Sequence, residues 1–306
     1  MIWLASSVNN DALCMFLVSL SLLAALKWYQ KPSIAHVALT GLALGLAMMA
    51  KLSGALAAFP IAVLFLCRWV RAIRQSRRNT LPYLRQFLLF TLICAPLGLW
   101  WQVKNAVLYG VPLTYVPRIG NDDWAYLGQY SLGQRLIGFS FTSLKRVFVL
   151  YDPSLFCEYS IPLALLKSSL FDEHQLFSTG SAGFALCRGL LAVNTVLIVA
   201  SLAAMSAFAI CKRRFADRPV TAALYVHWGA TLLQYLKFCL DYPHTCSMTF
   251  RYIPSTLLIG CLFLGYAVST LDENGRWCKI IAWALRGLCG LFCVLSCGMF
   301  LLLGLA

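Results

Sequence analysis

Eight apolar runs dominate the chain, each close to the roughly 20 residues that carry a helix across a bilayer. They are Ala12–Trp28, Ile34–Ala50, Gly54–Val70, Phe87–Val103, Gly189–Ile210, Val220–Lys237, Ile253–Ser269 and Ile280–Leu303. The apolar stretch from Ile34 to Trp69 is too long for one crossing. Lys51 in its middle, followed by Ser53-Gly54, predicts a tight turn between two short helices. Hydrocarbon offers the backbone no hydrogen-bond partners, so spanning segments of this length must be helical. With 60% hydrophobic and 12% charged residues among 306, the chain cannot be a water-soluble domain. The expectation is therefore an all-α polytopic membrane protein of about eight spans, a single transmembrane domain over residues 1–306. The start, Met1–Ser7, is too short and lacks the basic region of a cleavable signal.

A net charge of +14 would suit nucleic acid in a soluble protein. In a membrane chain it reports topology instead. If the first helix runs from outside to inside, the inner loops collect Lys27, Lys31, Arg68, Arg71, Arg74, Arg77, Arg78, Arg85, Lys212, Arg213, Arg214, Arg218, Arg276 and Lys279. The run Arg68–Arg85 then lies beside anionic lipid rather than nucleic acid. Both ends of the chain fall outside. So do Asp11, Asp122, Asp123, Asp152, Glu158, Asp172, Glu173 and Asp241, eight of the eleven acidic residues. The polar chemistry is expected on the extracytoplasmic side.

At the first outer helix end, Asn9 or Asn10 can cap the helix, and Asp11 suits the positive end of its dipole. Residues 105–187 form the one long connection, far beyond the usual 2–8 residues between helices. Its Trp, Tyr, Phe and Leu content argues for order. Leu132, Leu136, Ile137, Leu144, Val147, Phe148 and Tyr151 recur at helical spacing, predicting an amphipathic surface helix over Ser131–Leu150. A second short helix is expected over Leu163–Phe171. The last outer loop carries Asp241-Tyr242-Pro243-His244 and Phe250-Arg251-Tyr252-Ile253-Pro254. Lys51, Lys104, Lys237 and Arg251 all sit at outer helix ends, where topology alone gives no reason for a cation. Together they point to an anion held at membrane depth, a lipid-linked phosphate being the obvious candidate. His244, near Arg251, can add a phosphate or metal contact.

Other features read as structure. Gly41 and Gly45, at GxxxG spacing, read as packing. Cys289, Cys293 and Cys297 share a helical face and read as small packing residues rather than metal ligands. Asp122-Asp123 reads as a solvated loop pair. His36 and His227 are expected to be satisfied within or near helices. Cys157, Cys187, Cys239 and Cys246 lie in or beside outer loops, where an oxidising compartment would let them pair; the pairing stays open.

The order of motifs resembles the bacterial GT-C glycosyltransferases related to protein O-mannosyltransferases and the lipid A aminoarabinose transferase. The matching stretches are Asn10-Asp11 opening a helix, Gly41–Ala47 running into Lys51-Leu52-Ser53-Gly54, Trp101 with Lys104-Asn105 and Tyr109-Gly110-x-Pro112, and Phe250-Arg251-Tyr252-x-Pro254. The resemblance implies inverting transfer of a sugar from a polyprenyl-phosphate donor to an extracytoplasmic glycan, lipid or protein acceptor. It implies no nucleotide-sugar and leaves room for a divalent metal. It also implies that Asp11 matches the family's second acidic position, where it would orient the acceptor or base, and that Lys51, Lys104 and Arg251 line the donor side; Tyr252, in the same stretch as Arg251, and His244, in the same loop, are further candidate substrate contacts. The family's main catalytic carboxylate lies before the Asn-Asp motif, after a preceding helix, and has no counterpart in the ten residues before Asp11. The chain is accordingly expected to be a fragment of a longer enzyme or a degraded copy. Two other readings remain: a transporter or lipid flippase, for which Arg286 is the main ionisable residue inside a span, and a non-catalytic membrane scaffold.

Overall fold

The computed structural model describes residues 10–75, 80–114, 120, 125–139, 145–151, 156–210 and 217–305. Within them, helices occupy all eight apolar runs. These are α1 (Asp11–Gln30), α2 (Ile34–Ala50), α3 (Ala58–Gln75), α4 (Thr80–Tyr109), α7 (Ala182–Ile210), α8 (Arg218–Asp241), α9 (Ser255–Asp272) and α10 (Arg276–Leu305). Between α4 and α7 come α5 (Leu132–Ile137), a two-residue antiparallel ribbon of β1 (Leu150–Tyr151) with β2 (Phe156–Cys157), and α6 (Ile161–Phe171). The expected break at Lys51 is a 3₁₀ turn, Leu52–Ala57, which feeds α3. Among the described residues, six helices are long and apolar enough to cross a membrane, the 3₁₀ turn and α3 counting as one. Helix α2, with 17 residues, is shorter, and α8 stands outside the set while carrying His227, Thr231 and Gln234. The chain is an all-α polytopic membrane protein.

The helices alternate between two faces. On the face that carries the long connection, here the loop face, the Asn10 amide donates to the Ala50 carbonyl and joins the start of α1 to the end of α2. On the basic face, the Trp28 indole donates to Gln86 Oε1 at 2.6 Å, and Arg71 reaches the Tyr29 hydroxyl and lies 3.9 Å from Asp217. Trp28, Leu44, Ile61, Leu64 and Phe65 form the core of the first four helices. Met205, Phe208, Ile259 and Phe263 join α7 to α9.

Close approach of α2 to α4 rests on small residues. An added Cβ at Gly41 would lie 3.1 Å from the Phe90 carbonyl oxygen, and one at Gly45 2.9 Å from Leu97 Cβ and 3.1 Å from the Cys94 carbonyl oxygen. The GxxxG pair is thus a packing surface, as its spacing suggests. Lipid is as apolar as a side chain, so such contacts supply much of what holds helices together in a bilayer.

Above the loop face sits a layer built on the end of α8. Leu127, Ile161, Ala164, Cys239, Met248 and Ile253 form its core. The Tyr235 hydroxyl donates to the Met248 carbonyl at 2.8 Å, and the Phe250 amide to Ser168 Oγ at 2.9 Å. Glu158 and Lys167, both fully buried, pair at 2.5 Å within it. Burial lowers the proton affinity of the Lys167 amine, and Glu158 opposes that shift. The expected helix over Leu163–Phe171 is α6.

Three expectations change. The helix proposed over Ser131–Leu150 ends at Ile137, and Leu150 lies in β1. Its Arg135 is buried and donates to the Cys239 carbonyl, while Leu132 and Ile137 are exposed. The carbonyls ending α8 lack intrahelical partners, and a guanidinium that satisfies one of them outweighs the apolar periodicity. Cys187, Cys239 and Cys246, whose pairing the sequence leaves open, are free thiols. Cys289, Cys293 and Cys297 are exposed along α10 instead of packing between helices. Asp122, Asp123 and Asp152 lie outside the described residues.

Two outcomes follow from this packing. Gly45→Ala should destabilise the protein by about 1–3 kcal/mol through overpacking. Gly229→Ala, whose Cβ meets nothing within 4 Å, should be neutral or slightly stabilising. Thermal unfolding in lipid nanodiscs distinguishes the two. Lys167→Met leaves Glu158 buried without its ammonium and should cost about 3–5 kcal/mol, read in the same assay.

Candidate functional site

Asp11 occupies the first turn of α1, and Lys51 the position that caps α2. Two helices that meet at their loop-face ends therefore bring a carboxylate and an ammonium together. They form an ion pair, with Asp11 only 7% and Lys51 22% exposed in their side chains. Asn10 does not cap its own helix through its side chain, as its position suggests. It spends its amide on Ala50, one residue before Lys51. The Asn10-Asp11 dipeptide is thus a clasp between helices as well as the start of α1, and Asn9 lies outside the described residues.

The 3₁₀ turn Phe250–Tyr252 presents the next pair. Lys51 Nζ lies 4.6 Å from the centroid of the Tyr252 ring, and the Arg251 guanidinium 5.3 Å from the same centroid. Arg251 also donates to the Tyr252 hydroxyl at 3.3 Å and stands 3.7 Å from Glu173. Both cations therefore lie against one aromatic ring, an arrangement that holds charge in a partly dry site. Burial opposes the Arg251 charge, but Tyr252, Glu173 and Asp172 outweigh it and the guanidinium is held more firmly charged. Burial raises the proton affinity of Glu173, with Arg251 working against it.

Asp11, Lys51, Arg251 and Tyr252 line a single pocket, together with Cys14 and Val18 from α1, Gly54 and Ala57 from the turn, and His227 and Thr231 from α8. Four of the six residues singled out from the sequence thus converge. Lys104 and His244 do not line this pocket. Lys104 lies on α4 with its ammonium 5.3 Å from the Trp101 ring centroid. His244 is buried, with Nε2 3.2 Å from the Gly120 carbonyl and its ring 5.3 Å from that of Tyr126. It bridges to Tyr126 in the backbone as well, so it fastens the loop layer to the end of α8. Lys237, the fourth expected cation, pairs with Asp241 at 2.6 Å on the surface of α8.

Two functional candidates escaped the sequence reading. Glu173 reads from the sequence only as an acidic loop residue, whereas its pairing with Arg251 bridges distant parts of the chain. His227, expected to be satisfied, has no hydrogen-bond partner on either ring nitrogen among the described residues, and neither has Thr231 Oγ1. His36 behaves as expected, with its ring nitrogen 3.3 Å from the Lys31 carbonyl. No group of three His, Cys, Asp or Glu side chains suited to a metal gathers among the described residues.

The pocket offers two cations and an aromatic platform at the loop face of a helical bundle, with a carboxylate engaged by one cation and another beside the second. That set can hold an anionic group and stabilise charge that develops on it. No curated protein and no solved structure matches the chain. Residues 1–100, which contribute Asp11, Lys51 and the turn beneath them, match the family model described as dolichyl-phosphate-mannose-protein mannosyltransferase, and this match supports a relationship of the chain to the GT-C glycosyltransferases.

Proposed function

We propose that the protein is a membrane glycosyltransferase in which this pocket binds a polyprenyl-phosphate sugar and presents it to an acceptor on the extracytoplasmic side. The observation that carries the reading is the convergence of Lys51 and Arg251 on the Tyr252 ring, in one pocket with Asp11. A lipid phosphate entering from the bilayer meets two cations at a helix end, where a phosphate head group resides. In the transfer step an acceptor hydroxyl oxygen bonds to the anomeric carbon as the bond from that carbon to the phosphate oxygen breaks. The lipid phosphate leaves with the bonding electrons, and Lys51 and Arg251 offset the charge it gains. Asp11 fixes the Lys51 ammonium. Glu173, with its proton affinity raised by burial, is positioned beside Arg251 to take the acceptor proton. Lys104, on α4, is not needed for these contacts, in contrast to the role that the family resemblance implies for it.

The transporter reading draws less support. Arg286 on α10 donates to Asp272 at 3.1 Å, so the ionisable residue it relied on is paired.

Arg251→Ala should weaken binding of polyprenyl phosphate to the purified protein in nanodiscs by about ten- to a hundredfold, the scale of a charge-assisted contact. Unchanged binding removes Arg251 from the site. Glu173→Gln frees Arg251 of its counter-ion and should tighten binding of bare polyprenyl phosphate while abolishing transfer. For the same reason, wild-type binding should strengthen as pH falls toward the raised Glu173 value, because the protonated carboxyl releases Arg251, and weaken above it. A pH titration that is flat in wild type and in Glu173→Gln alike contradicts that role.

A further inference from the structure

The transferase reading assigns Lys51, Arg251, Tyr252, Glu173 and Asp11, and leaves one wall of the pocket without a task. That wall is His227 and Thr231, four residues apart and so on one face of α8. They are 2% and 3% exposed, and all three of their polar side-chain atoms lack partners among the described residues. Both line the same pocket as Lys51 and Arg251. Such groups are normally satisfied when buried, because an unmet hydrogen bond in a dry site is costly. Their level in the bundle is also informative. Tyr235, one turn above Thr231, already bonds into the loop layer, so the pair sits just beneath that layer, beside the first turns of α1.

We infer that His227 and Thr231 hold a hydroxyl of the sugar carried by the lipid-linked donor, and so take part in deciding which sugar the pocket accepts. This rests on the transferase reading and adds to it a subsite for the sugar. A neutral imidazole offers one donor and one acceptor, and a threonine hydroxyl can likewise do both. That combination matches a hydroxyl, which needs both, better than a phosphate, which needs only donors and finds cations elsewhere in the pocket. The enclosed space of the pocket, about 30 Å³, is enough for a water, so a sugar ring would extend from it into the open mouth. A ligand hydroxyl reaching His227 and Thr231 would supply the hydrogen bonds these buried atoms lack, with the rest of the ring lodged toward the mouth. A site built to hydrogen-bond a hydroxyl discriminates strongly against a ligand that lacks one, since its own polar groups are then stranded.

The test compares two probes on the purified protein in nanodiscs: bare polyprenyl phosphate, and the same lipid phosphate carrying mannose or glucose. Wild type should bind one of the sugar-bearing lipids more tightly than the bare one. Thr231→Val and His227→Leu should each erase about tenfold of that preference and leave the bare lipid unaffected, whereas Thr231→Ser retains it. Thermal unfolding of the ligand-free variants checks folding, and Thr231→Val should unfold no earlier than wild type because the hydroxyl it loses has no protein partner. The inference is overturned if the variants keep the full preference, if they lose both lipids equally, or if wild type binds the bare and sugar-bearing lipids alike. Wild type binding neither lipid overturns the transferase reading and this inference with it.

Discussion

The ion pair between Asp11 and Lys51 is the interaction on which the arrangement of the site depends. Neither residue is near the other in sequence, and each stands at the end of an apolar helix. Alone, either charge at that depth would be costly to keep. Together, with Asn10 bonded to Ala50 alongside, they set the height at which α1 and α2 meet. That height puts Lys51 over Tyr252, and Tyr252 in turn carries Arg251. The carboxylate at the start of α1 is in this sense a device for positioning an ammonium. Removing it would strand Lys51 and loosen the floor of the pocket at the same time.

The bundle supplies the remaining constraints. Gly41 and Gly45 let α2 lie against α4 at backbone distance, which is how a helix of only 17 residues is held in place. Helix α8 joins the two halves of the site, with its lower part contributing His227 and Thr231 to the pocket and its upper part, from Tyr235 to Cys239, serving as the core of the loop layer. That layer is fastened by groups that are costly to bury and therefore specific in their pairing: Glu158 with Lys167, and Arg135 with the carbonyl of Cys239. It carries Glu173 to Arg251. The site is thus a junction of α1, the turn at Lys51, α8 and the loop layer, and no single segment contains it.

Much of the fold was legible because apolar runs and their interruptions are local signals. Lys51-Leu52-Ser53-Gly54 marked the turn, and the two glycines marked the close contact. The long connection was harder. Its periodic leucines suggested one helix over Ser131–Leu150, but where Arg135 would go depended on an unsatisfied carbonyl about a hundred residues away, which no local pattern reports. Of the residues that line the pocket, Lys51 and Arg251 stand out in the sequence as cations at helix ends, and Asp11 and Tyr252 through the Asn10-Asp11 and Phe250-Arg251-Tyr252 stretches. Lys104 stands out in the same way and His244 by its nearness to Arg251, and their ring contacts are with Trp101 and Tyr126, away from the pocket. His227 was overlooked because a histidine in a helix is ordinarily satisfied. Its importance lies in the absence of a partner, a property of packing rather than of sequence.

The most direct measurement of the central claim is photo-crosslinking with a polyprenyl phosphate that bears a diazirine next to its phosphate, followed by peptide mapping. The account predicts adducts on the first turns of α1 near Cys14–Val18, on the turn Leu52–Ala57, and on residues 251–255, competed away by unlabelled polyprenyl phosphate. Adducts confined to the exposed face of α10, or labelling indifferent to the competitor, would mean that the pocket between Asp11 and Arg251 does not receive a lipid phosphate.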